Sequence, residues 1–80
     1  MNRQKLKTCF VGALGIAPTT DLESVSFGTT DGWDSVGHIA LVTELELAFE
    51  VELSPEDITE LTSVQKAIGI LGQHGVTFDN

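Results

Sequence analysis

Gly32-Trp33-Asp34-Ser35-Val36-Gly37-His38 divides two unlike regions of the chain. Before it, from about Ile16 to Asp34, runs a stretch rich in Thr, Ser, Gly and Asp. That length of irregular chain is unusual in a compact domain and is often functional. Behind it, Leu41, Val42, Leu45 and Phe49 recur with the period of a helix. Asp34 is placed to accept the free backbone N–H groups of a first turn, so a helix is predicted from Ser35 to about Phe49. Ser35 then opens a helix beside a carboxylate, where backbone N–H groups and the helix dipole favour a nearby anion.

Three more helices follow from the pattern on either side. Leu6, Cys9, Phe10, Ala13 and Leu14 fall on one face of a first helix, which Gly15 and Pro18 end. Leu22, Val25 and Phe27 are expected to pin the long loop to the core. Val51-Glu52-Leu53 reads as a short extended link. Ser54-Pro55-Glu56-Asp57 is a helix start, with serine as cap, proline at the first position and acids in the first turn, and the short helix reaches about Leu61. Thr62 or Ser63 caps a last helix with Val64, Ala67, Ile68 and Leu71 on its apolar face; Gly72 and Gly75 offer stops, and the final residues are expected to fray. The fold class is therefore all-α: a bundle of three longer helices and one short one, with a long loop between the first two.

Composition narrows the function. The length of 80 residues is that of one domain, residues 1–80, burying about 60–65% of its unfolded surface. Such a core leaves little room for a walled active site. Twelve carboxylates face four basic residues, for a net charge of −8, and eleven of the acids lie between Thr8 and Gln65, where there is no base. Nucleic acid is excluded as a partner, because phosphate binding needs lysine and arginine. A protein partner with a basic patch suits the field better. No apolar run is long enough to span a membrane, the N-terminus lacks the apolar segment of a signal peptide, and the single cysteine, Cys9, can form no internal disulfide. A cytoplasmic monomer is the expectation.

The second helix carries two apolar stripes. Leu41, Val42, Leu45 and Phe49 make the core side. Val36, Ala40, Thr43 and Leu47 lie nearly opposite, flanked by Glu44 and Glu46. A helix packed on one side needs only the first stripe; the second is either covered by another element or kept for a partner.

The order of these features resembles acyl carrier proteins and the related peptidyl carrier domains, over most of the chain. Their motif Asp-Ser-Leu reads Asp34-Ser35-Val36 here, and Phe49-Glu50-Val51-Glu52-Leu53-Ser54 also matches, with Glu50 where glycine is common. Gly-Trp-Asp-Ser followed by Gly37-His38 is similar to the specialised free-standing carriers of secondary metabolism. The resemblance implies a non-catalytic protein. A phosphopantetheinyl transferase would move 4′-phosphopantetheine from coenzyme A onto the Ser35 hydroxyl, and the thiol of that arm would hold an acyl, aminoacyl or polyketide-type group as a thioester. It implies that Asp34 helps present Ser35. An acyl- or aminoacyl-loading enzyme and a downstream synthase or transferase would be further partners. Related carriers place acids where Ala40 and Leu47 stand, so the partner surface Val36, Ala40, Thr43, Glu44, Glu46 and Leu47 is unusually apolar. The alternative is an acidic helical adaptor of the same fold that is never modified and binds a basic protein.

Other residues offer less. Ser35 as a catalytic nucleophile would need a base and an oxyanion site, and Gly-x-Ser-x-Gly is absent: residues 33 to 37 read Trp-Asp-Ser-Val-Gly. His38 is expected to pack against the loop, His74 to face solvent, Cys9 to be a buried structural thiol, and Trp33 to anchor the loop with its indole edge exposed. Asp21, Glu23, Asp31 and Asp34 lack the spacing of a calcium loop, so no metal site is expected.

Overall fold

A computed structural model describes residues 2–78. It shows α1 (Asn2–Leu14), α2 (Ser35–Phe49), α3 (Pro55–Glu60) and α4 (Val64–Gln73), with one 3-10 turn, Leu22–Ser24, inside the long loop. Among the described residues there is no strand; the bundle measures 29 × 28 × 18 Å. The starts of α2, α3 and α4 obey the capping rules. Asp34 accepts from Gly37 N, Ser63 from Lys66 N, and Ser54 with Asp57 forms a reciprocal box in which each side chain accepts the other residue's backbone N–H. The 3-10 turn was not foreseen; Asp21 caps it by accepting from Glu23 N.

Leu6, Phe10, Trp33, Leu41, Leu45, Leu61 and Leu71 are fully buried and form the centre of one core. α1 lies along α2, and Lys5 of α1 caps its far end: Nζ donates to Ala48 O at 3.4 Å and sits 5.3 Å from the centre of the Phe49 ring. That charge suits a helix C-terminus. α4 buries Val64, Ala67, Ile70 and Leu71, while Ile68 of the expected face is only half-buried. The loop is sewn to the start of α4 where Phe27 N donates to Thr62 O. Of its three expected pins, Val25 is buried and Leu22 half-buried, but Phe27 stays 40% exposed.

The chain beyond α4 does not hang free as far as Phe78. Gly75 turns it at φ +90°, Val76 and Phe78 lie against the core, Phe78 meets the Phe49 ring at 5.9 Å, and Asn2 Nδ2 donates to Thr77 O. The expected fraying falls otherwise on residues 79 and 80, outside those described. Among the described residues, no helix is long and apolar enough to cross a membrane.

Candidate functional site at the start of the second helix

Two glycines make the approach to Ser35 possible. Gly32 has φ +91°, a conformation that costs an L side chain energy, and a Cβ there would run into the Leu14 carbonyl at the end of α1. A Cβ on Gly37 would run into the Gly32 carbonyl. The chain thus passes between the end of α1 and the first turn of α2 with no room for a methyl group on either residue. Sequence reasoning gave neither glycine a role. The only hint was a pair of glycines bracketing Trp-Asp-Ser-Val.

Trp33 is the anchor, but its edge is not exposed as expected. The side chain is entirely buried, with Phe10 edge-on at 5.4 Å and Phe27 edge-on at 6.3 Å. Its indole N–H donates to His38 Nδ1 at 2.9 Å. His38 Nε2 lies 2.8 Å from the Ile58 carbonyl of α3. An indole N–H can only donate and a carbonyl can only accept, so the ring is neutral with its proton on Nε2. His38 stacks on Trp33 at 6.2 Å, and Phe27 covers it edge-on at 5.1 Å. His38 does meet the loop, as expected; its bridge to α3 was not legible in the sequence.

Asp34 and Ser35 follow this anchored residue. Asp34 Oδ1 accepts from Gly37 N at 2.9 Å, closing the first turn of α2. Ser35 is exposed at the first helical position. Beyond it, Val36 is 77% and Leu47 72% exposed, with Thr43 and Glu44 exposed between them and Ala40 half-buried. Ile39, 69% exposed, widens this apolar surface and went unassigned from the sequence. Glu46 corrects the expected arrangement. It is half-buried, and its carboxylate accepts from Leu53 N at 2.9 Å, bracing the link to α3 rather than flanking the stripe. A shallow hollow of about 160 Å3 between α2 and α3, lined by His38, Ile39, Val42, Thr43 and Ile58, begins one turn along from Ser35.

A family model for the phosphopantetheine attachment site matches residues 4–71. The chain belongs to the acyl and peptidyl carrier protein family. No solved structure gives a significant match. The group this family carries is 4′-phosphopantetheine, and carriers of this kind work with phosphopantetheinyl transferases and biosynthetic enzymes. The head of α2 in this carrier fits such a group. It offers an exposed hydroxyl at a helix N-terminus, where a phosphodiester is favoured.

The remaining reactive side chains of the carrier are otherwise engaged. The Cys9 thiol is buried and points to the Glu44 carbonyl at 3.7 Å; burial above all, and then Glu44, push its pKa up. A thiol held protonated is a poor nucleophile. His74 is exposed, as expected, and its Nε2–H also donates to Asp57 Oδ2 at 2.9 Å, joining the end of α4 to the start of α3. Among the described residues no three His, Cys, Asp or Glu side chains converge as a metal site would require.

Proposed function

We propose that Ser35 Oγ is the attachment atom and that the protein carries an acyl, aminoacyl or polyketide-type group on a phosphopantetheine arm. The observation that carries this reading is the exposed Ser35 at the capped start of α2, beneath a family match spanning it. On the transferase, the Ser35 Oγ–phosphorus bond would form as the diphosphate P–O bond of coenzyme A breaks; the hydroxyl proton goes to base and 3′,5′-adenosine bisphosphate departs. The arm supplies a thiol that holds cargo as a thioester. Asp34 fixes the turn that presents the hydroxyl. In this reading residues 1–80 are a single non-catalytic domain, a cytoplasmic monomer serving a specialised pathway.

The docking surface is proposed to be Val36, Ile39, Ala40, Thr43, Glu44 and Leu47. These residues share the exposed side of the helix that Ser35 opens, so an enzyme gripping them has the arm beside its active site. Large exposed apolar side chains in a row mark an interaction surface. The loading enzyme should present a matching apolar patch, and binding should depend less on salt than the net charge of −8 suggests.

Intact-mass measurement after incubation with coenzyme A and a transferase of broad specificity tests the reading. One added phosphopantetheine per chain is expected. A folded chain that gains no mass would instead be the unmodified adaptor.

A further inference from the structure

We propose that His38 is a positioning residue for the loading of Ser35, an inference that rests on Ser35 being the attachment site. The imidazole closes a small ring of structure around the serine. Through Nδ1 it holds the indole of Trp33, two residues before Ser35; through its own backbone it belongs to the first turn behind Ser35; through Nε2–H it holds the Ile58 carbonyl. The Asp34 to Gly37 hydrogen bond is a second tie inside that ring. The segment that leads into Ser35 is therefore tied to the first turn of α2 and to α3 through one side chain with both nitrogens in use.

The bridge has no slack. Trp33 is fully buried, and no buried side-chain nitrogen or oxygen among the described residues lacks a partner. Removing the acceptor strands the indole N–H, which must then move or find water. Any movement is passed to Asp34 and Ser35 through the short segment between Gly32 and Gly37, where the backbone already touches the end of α1. Phosphoryl transfer is sensitive to such displacements, since a misplacement of about 1 Å can cost a factor of up to about 100. His38 is half-buried on the side of α2 that meets α3, where it shares a hollow with Ile39 and Thr43; Val36 and Leu47 lie outside that hollow, so docking through them should be spared.

The test is steady-state loading of the full chain with coenzyme A and a broad transferase, corrected for the folded fraction. His38→Leu should lower kcat about tenfold and leave KM for the carrier within about twofold. Asparagine and glutamine separate the two halves of the bridge, because an Asn oxygen can stand near Nδ1 and a Gln nitrogen near Nε2. His38→Asn should restore most of kcat and keep the Trp33 indole N–H resonance near its wild-type position. His38→Gln should stay slow with that resonance shifted upfield. The Asn and Gln pair decides the matter even if the Leu variant does not fold. Wild-type kcat in the Leu variant, a change confined to KM, or rescue by Gln in place of Asn would overturn the proposal. A wild-type chain that gains no mass defeats the attachment reading and this inference with it; a wild type that loads no faster than His38→Leu defeats the inference alone.

Discussion

The two sides of α2 are both apolar, yet they meet opposite surroundings. Leu41 and Leu45 are fully buried, while Val36 and Leu47 on the other side are more than 70% exposed. Hydrophobicity alone therefore does not locate the core of this helix; the neighbours do. α1 supplies Leu6, Cys9 and Phe10 to one side, and nothing in the described chain covers the other. One face builds the domain, and the second lies open to solvent, where we propose that partners dock.

The sharpest way to break that comparison is to put a carboxylate on each side. Leu45→Glu should cost on the order of 3 kcal/mol or more, enough to unfold a small domain, because the charge has no partner in the core. Leu47→Glu should leave the thermal melt nearly unchanged and slow loading by the cognate enzyme several-fold. The reverse pattern in circular dichroism would mean that the faces are exchanged.

The next largest effect falls where α2 begins. Gly37→Ala drives a methyl group into the Gly32 carbonyl and should destabilise by about 1–3 kcal/mol. Denaturant titration measures the loss, and a neutral result would mean that the turn can relax. At the other end of α2, Glu50 sits in the left-handed region at φ +55°. Glu50→Gly should relieve that strain and stabilise by about 1 kcal/mol, raising Tm by about 4–8 °C for a domain this small.

The smallest effect is set by pH. The His74 hydrogen bond, and after it the Ser54 backbone N–H, hold the Asp57 carboxyl below its ordinary range. A carboxyl with a lowered folded pKa adds stability above the ordinary carboxylate range and loses it as pH falls through the folded value. His74→Ala should therefore flatten part of the acid-side decline in Tm. A decline of unchanged slope would show that this exposed pair contributes nothing measurable.

α2, α3 and α4 were legible because each start carries its own chemistry. Asp34, Ser54 and Ser63 are caps readable one residue at a time, and α2 spans Ser35–Phe49 as its pattern predicts. What escaped was whatever depends on chains meeting from afar. The close passage at Gly32 and Gly37 leaves no mark but the missing side chains. The Trp33–His38–Ile58 bridge joins residues twenty positions apart. Glu46 looked like a surface acid until the link to α3 folded back to meet it. Ile39 was overlooked because it falls between the two stripes, at the edge of each.

Peptide mapping by tandem mass spectrometry, after incubation with coenzyme A and a transferase, tests the central claim most directly. The added group should fall on Ser35, and Ser35→Ala should abolish it while the helical circular dichroism stays unchanged. A group found on Ser24, Ser26, Ser54 or Ser63, or a Ser35→Ala chain that still takes one, would contradict the account.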